Sequence, residues 1–214
     1  MSPRLVIASC AITLLVGRLA LADQLPTNSH LVVNKAVGTA SNVEVPPITF
    51  AGIAWGTSGP VGKASLAAAG FVFDSTDKDG DLNFHGTLEG YPTHLILLMA
   101  DGKSAKVFIN ILTPDPKARE VYGDLKEALT SKYGHPSTGI EHFSDPYYDG
   151  DGYEDQAIRL DKAKFMQLWT RPTPAGDEGL VLQVTDALTV QCAYESAGWA
   201  KEADRRKAKA NAVF

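Results

Sequence analysis

Residues Asp115–Pro136 read DPKAREVYGDLKEALTSKYGHP, and their pattern decides the fold. Asp115 supplies an N-cap, and Pro116 stands at the first helical position, where a missing N–H costs nothing. Val121, Tyr122, Leu125, Ala128, Leu129 and Tyr133 recur at spacings of three and four, which makes one apolar face. Lys117, Arg119, Glu120, Asp124, Lys126 and Glu127 mostly face water. Gly134 is placed to end the helix and Pro136 forbids its continuation. A helix with one apolar stripe must bury it against another layer, and the runs on either side supply strands.

Working back toward the start, Val107, Ile109 and Ile111 alternate with Phe108 and Asn110, and Thr113-Pro114 delivers the chain to the helix. Leu95–Met99 is apolar on both sides, which predicts a central strand covered on both faces or one at a crowded interface. Leu82, Phe84 and Leu88 share a face, with Asn83, His85, Thr87 and Glu89 on the other. Asp74–Asp81, DSTDKDGD, is a hairpin tip around Asp79-Gly80. Before it, Thr57 or Ser58 caps a short helix with Pro60 in its first turn, and Gly70 stops that helix. Phe71-Val72-Phe73 then opens a strand.

Beyond the main helix the same grammar returns. Ile158 and Leu160 lead into a turn at Asp161-Lys162. Phe165, Gln167 and Trp169 alternate with Met166 and Leu168, and Leu180, Leu182 and Val184 face one way. Leu188, Val190, Cys192 and Tyr194 continue the period of two, so Cys192 points inward. Ser196 caps a last helix near Ala197–Ala210, with Trp199 and Ala203 inside and Glu202–Arg206 as an i,i+4 pair. The chain thus reads twice as a helix followed by about four strands, with connections short enough for antiparallel pairing. The expectation is an α+β fold, an antiparallel sheet with helices on one face. It forms a single domain over 44–214 in two halves, 44–114 and 115–214.

Residues 1–22 have the form of a signal peptide: Arg4, an apolar run over Leu5–Leu15, and Ala20-Leu21-Ala22 as a small-x-small cleavage site. Residues 23–43 lack periodicity and read as a flexible leader. These features place the product in the periplasm or outside the cell, with no transmembrane anchor after cleavage. Arg4 and Arg18 leave with the signal, so 20 basic side chains become 18 against 25 acidic ones, and the net charge moves from −5 to about −7. That balance argues against nucleic acid, whose backbone demands a basic surface. Cys10 and Cys192 are the only cysteines, so the mature chain has no internal disulfide and no thiolate metal cluster.

Chemical motifs are excluded one by one. Gly56–Lys63 lacks the glycine spacing of a phosphate-binding loop, and Gly56-Thr57-Ser58-Gly59 is no nucleophile elbow. An EF-hand alternates oxygen ligands and closes on a bidentate glutamate. With Gly80 at the invariant glycine, Ser75, Asp77, Asp79, Asp81 and Asn83 take ligand positions, but Gly86 stands where the glutamate belongs. No cofactor or metal site is expected.

What remains is Ser137–Glu154, STGIEHFSDPYYDGDGYE, read as a long polar connection. Tyr147, Tyr148 and Tyr153 sit among Asp149 and Asp151, and these five are the candidate partner-binding residues. Aromatic rings beside carboxylates on a loop suit a protein or glycan partner in the cell envelope. The competing structural reading has the rings folding back over the core. The leading functional reading is a non-enzymatic exported protein that binds a protein or envelope component through loop 137–154. The alternatives are an envelope hydrolase using acids near 145–155, and a small-ligand binder. Glycoside hydrolysis needs two carboxyls held roughly 5–10 Å apart across a cleft, and this run shows no such placement.

The segments Gly52–Gly56 (GIAWG), Ala69-Gly70-Phe71 and Tyr122–Pro136 (ending LTSKYGHP) resemble those of uncharacterised exported bacterial proteins. In that group a W-G-x-S-like start precedes a short helix and K-Y-G-x-P follows a longer one. The resemblance implies export and carries no activity. The repeated helix-then-strands pattern is also similar to that of the small outer-membrane assembly lipoproteins and the beta-lactamase inhibitor proteins. The lipid-bearing cysteine of the former and the paired cysteines of the latter have no counterparts here.

Overall fold

The structure, a computed structural model, describes residues 46–114 and 116–212. The expected signal peptide, the leader and the N-cap Asp115 lie outside the described residues.

The first half runs α1 (Gly59–Ala68), β1 (Val72–Thr76), β2 (Leu82–Leu88), β3 (Tyr91–Ala100) and β4 (Lys103–Ile111). The second runs α2 (Ala118–Tyr133), β5 (Thr138–Phe143), α3 (Glu154–Arg159), β6 (Ala163–Thr173), β7 (Gly176–Val184) and β8 (Val190–Glu195), and α4 (Trp199–Asn211) closes the chain. The eight strands form one sheet in the order β1-β2-β3-β4-β8-β7-β6-β5, antiparallel at every step. Each half is therefore a four-stranded meander. The two meet along β4 and β8 and leave β1 and β5 as the outer edges.

Helices α1 and α2 pack on the sheet face that carries Leu95, Leu97, Ile109, Ile111, Leu180 and Leu182, all buried in one core. Gly62 lets α1 approach closely, because a Cβ there would stand 2.6 Å from Leu97 Cδ2. The stripe of α2 buries Ala118, Val121, Tyr122, Leu125, Leu129 and Tyr133. Ala128, at the margin of that stripe, is exposed instead. The helix begins with Lys117 as N-cap, so Pro116 lies in the turn before it rather than in its first position. Gly134 ends it at φ +82°, and its carbonyl accepts a 2.8 Å bond from Trp169 Nε1. Burying a side chain the size of Leu125 is worth roughly 1.5–3 kcal/mol, so this face, rather than helix propensity, holds α2 in place.

Two readings of the sequence need correction. In β3, Leu95, Leu97 and Met99 are buried on the helix face, while Ile96 and Leu98 are only half-buried on the opposite face. Phe108 lies directly beside Ile96, and Lys106, which faces Leu98 across the β3–β4 pair, has its Nζ 5.2 Å from the centre of the Trp199 ring of α4. Ile158 belongs to the short helix α3 and reaches the core, whereas Leu160 is exposed just after it.

Helix α4 is held by charge. Arg206 donates to Asp81 Oδ2 at 2.5 Å, to the Met99 carbonyl at 2.6 Å and to Glu202 Oε1 at 2.7 Å. Asp81 is buried and also accepts the Met99 amide at 2.8 Å. Lys209 reaches Asp79 at 2.8 Å, so the acidic hairpin tip is occupied by cations of α4. Asp77 Oδ1 accepts the amides of Asp79 and Asp81, each at 2.9 Å, which closes the turn. These three carboxylates are ones a calcium loop would have required.

Candidate functional site

Ser137–Glu154 is less of a loop than its composition predicts. Thr138–Phe143 is the edge strand β5, paired residue by residue with β6, so the connection proper begins at Ser144. The polar reading of this stretch failed because an edge strand at the rim buries almost nothing.

From Ser144 the chain folds on itself. Tyr147 N donates to Ser144 O at 3.1 Å, after a cis Asp145–Pro146 bond. Asp151 organises the tip: one carboxylate oxygen accepts the Tyr148 amide at 3.0 Å and the other accepts the Tyr153 amide at 2.7 Å. Gly150 N donates to Glu154 Oε1 at 2.9 Å. A single carboxylate thereby draws together the two residues whose rings are most open, Tyr148 at 65% and Tyr153 at 61% exposure.

The five candidates separate into three roles. Tyr148 and Tyr153 present their rings to solvent. Tyr147 packs against the core, with its hydroxyl accepting from Gln156 Nε2 at 3.1 Å, as the core-cover reading expects of it. Asp149 and Asp151 are structural acids. Asp149 takes a 2.6 Å bond from Arg119 on α2, and Asp151 is committed to the turn.

Arg119, read from sequence as a water-facing residue, is the organiser that pattern reasoning missed. It sits between Asp149 and Glu154, the latter at 3.6 Å, with its guanidinium 5.2 Å from the Phe165 ring and 5.7 Å from that of Phe143. The one sequence clue is its place three residues before Tyr122, on the edge of the buried stripe. Arg119, Pro116, Gly152, Tyr153, Glu154 and Gln156 line a shallow cleft of about 430 Å³.

Beneath the connection lies a polar seam. Glu141 on β5 points to the helix side, where one oxygen accepts from Tyr122 Oη at 2.9 Å, Lys126 Nζ at 2.6 Å and Gln167 Nε2 at 2.8 Å. Burial works against the Glu141 carboxylate, but the bonds from Lys126, Tyr122 and Gln167 prevail and hold its pKa below the usual range. Burial also lifts the Tyr122 hydroxyl well above its usual range, and the bond from Gln167 only partly opposes this. The seam clamps α2 to the sheet edge.

A second cleft, of about 600 Å³, lies between the Trp55 turn, the start of β4, the β6–β7 hairpin and the link into α4. Of its two lining cations, Lys103 and Arg171, the latter is paired with Glu178 at 3.1 Å. The Trp55 indole N–H has no partner among the described residues, yet it is shielded from the cleft, so a ligand reaches it only if the ring moves. Cys192 is buried, and burial pushes its thiol up to about 12, away from the thiolate that nucleophilic chemistry needs. Among the described residues no three His, Cys, Asp or Glu side chains converge to hold a metal ion, and no helix is long and apolar enough to cross a membrane.

The chain matches no protein-family model, and no curated protein or solved structure is similar to it at a significant level.

Proposed function

We propose that this is a non-enzymatic binding protein of the cell envelope, and that the tip of the β5–β6 connection is its recognition surface. The observation that carries the reading is the pair Tyr148 and Tyr153, exposed while their backbone is fixed by Asp151. A ring already held in place loses little conformational entropy when a partner covers it, and tyrosine offers large area with a polar edge. The neighbouring carboxylates support the same reading against a hydrolase. Asp149, Asp151 and Glu154 are each engaged by the chain's own donors, so none is poised toward an incoming substrate. The partner class is a protein or a glycan of the envelope, since both are met by exposed tyrosine. Export rests on the sequence of residues 1–22 and on the likeness of GIAWG and KYGHP to exported bacterial proteins.

The test is capture from a solubilised envelope fraction with immobilised protein, wild type beside Tyr148→Ser/Tyr153→Ser. The expected result is a distinct protein or glycan species retained by the wild type and lost by the double variant, with circular dichroism unchanged. Equal retention by both would remove the surface from this loop. Turnover of a glycan or peptide that disappears on Asp149→Asn or Asp151→Asn would replace binding with catalysis.

A further inference from the structure

The two outer strands differ in how they end the sheet. An edge strand offers unpaired N–H and C=O groups, and proteins normally blunt it with bulges, charges or cover. The β1 edge is blunted: its register with β2 slips between Phe73 and Ser75, and Lys63 Nζ sits 3.4 Å from the centre of the Phe73 ring. Asp74 in the slipped position is tied to His85 at 2.5 Å. The β5 edge has fewer of them: it has no bulge, and its one acid, Glu141, is paired on the helix side with Lys126. Thr138–Phe143 pairs with β6 without a slip and contains neither proline nor lysine.

The hydrogen-bond phase shows which groups are free. Ser144 N donates to Lys162 O at 2.6 Å, continuing the ladder in which Phe143 faces Ala163. In an antiparallel pair the bonded positions alternate, so Ser144, His142, Ile140 and Thr138 bond toward β6. The N–H and C=O groups of Gly139, Glu141 and Phe143 then point outward, and no described residue bonds to them. Ile140 is the exposed large apolar side chain of this edge, at 36% exposure, on the face away from the helices.

We infer that β5 pairs antiparallel with the β5 of a second copy, joining two eight-stranded sheets into one. The occupant follows from self-complementarity. A two-fold axis at Ile140 sets Ile140 against its own mate, and sets Glu141 against the partner's Gly139. Gly139 and Glu141, two of the three outward-bonding residues of each strand, are thereby matched. Glu141 is already neutralised by Lys126, so it brings no uncompensated charge to the join. Gly139 must stay small for a separate reason, because a Cβ there would lie 2.3 Å from Gln167 Oε1. It therefore leaves open space opposite Glu141. Another in-phase register, centred on Glu141, puts two carboxylates face to face, which disfavours it. This inference goes beyond the recognition loop and stands even if that loop binds nothing.

Sedimentation equilibrium of the full chain, over a rising concentration series, reads the association. The expected result is a monomer–dimer equilibrium whose dissociation constant rises at least tenfold in Ile140→Lys, which sets two lysines opposite each other. Val72→Lys on the blunted β1 edge should leave it unchanged. Ile140 is bonded to β6 only through its backbone, so circular dichroism of Ile140→Lys should match the wild type. A second readout fixes the register. Facing residues in the non-bonded phase lie about 4.5 Å apart at Cα, within reach of a disulfide. Ile140→Cys in a Cys10→Ser background should therefore oxidise to a covalent dimer, while Thr138→Cys in the same background should not. A protein that stays monomeric at every concentration would overturn the inference. So would a dimer untouched by Ile140→Lys, or one that cross-links through Thr138→Cys instead.

Discussion

The β1–β2 turn and the β5–β6 connection occupy equivalent places in the two halves, and both are rich in acids. In the first half the chain crosses at Asp77–Asp81, and every acid there has a partner: Asp77 closes the turn, Asp79 meets Lys209 and Asp81 meets Arg206. In the second half the crossing runs over residues 144–162, enclosing α3. Three of its acids are occupied too, Asp149 and Glu154 by Arg119 and Asp151 by backbone amides. The difference lies in the aromatic rings. The short turn has none, and the long connection exposes two that its fold does not use. Acidic composition alone therefore does not separate the two places, while exposed aromatic surface does, and it is the feature on which the proposed recognition role rests.

The contrast depends on a core shared by both halves, so its strongest test is to weaken that core. Leu125→Ala removes the centre of the α2 stripe and is expected to cost about 2–5 kcal/mol, the usual range for large-to-small changes in a core. Urea melts should show it as a lower midpoint with unchanged slope. A small effect would mean that α2 does not carry the second half.

Next in size is the ionic hold on α4. Arg206→Met leaves the buried Asp81 carboxylate without its cation and is expected to cost about 2–3 kcal/mol. This falls below the loss for a fully enclosed pair because the Arg206 side chain is 24% exposed. Adding Asp81→Asn should recover part of the loss, which a double-mutant cycle would register. Strict additivity would separate Arg206 from the hairpin tip.

Acid should act on both halves, and with the same sign. The Glu202 pKa is lowered, chiefly by the hydrogen bond from Arg205 and then by that from Arg206 against the effect of burial, and Glu141 is lowered by its own donors. A carboxylate depressed in the folded state stabilises it above the unfolded pKa, near 4.5 for both groups, and that contribution fades as pH falls through the folded value. Melting temperature should drop as pH is taken below that point, and Glu202→Gln and Glu141→Gln should each flatten the drop. A profile unchanged in both variants would show that neither acid couples to folding.

Much of this architecture was legible as periodicity. The α2 stripe, the alternation through Phe165–Trp169 and Val190–Tyr194, and the two-half pattern all follow from which faces must be dry. Pro116 precedes α2 instead of opening it, because the chain turns there, with Lys117 N donating to Pro114 O at 2.7 Å. β5 looks like a loop in sequence because an edge strand carries little hydrophobic alternation, and Glu141 points inward to partners 15 to 26 residues away. In the candidate site, the tyrosines stand out by composition, and two of them are exposed. The roles of Asp149 and Asp151 do not stand out, since a carboxylate holding backbone amides looks in sequence like one free to act. Arg119 escaped for the same reason: its partners are brought to it only by the fold.

The smallest expected effect bears most directly on the central claim, that the tip of the long connection is surplus to folding and serves as a surface. The measurement is the unfolding free energy of Tyr148→Ser/Tyr153→Ser in urea, with Tyr147→Ser alongside. The account predicts a change within about 0.5 kcal/mol for the exposed pair, as for surface sites without special contacts. It predicts a larger loss, about 1–2 kcal/mol, for Tyr147 with its ring against the core. A loss of about 2 kcal/mol or more from the exposed pair would make those rings part of the core cover and contradict the claim.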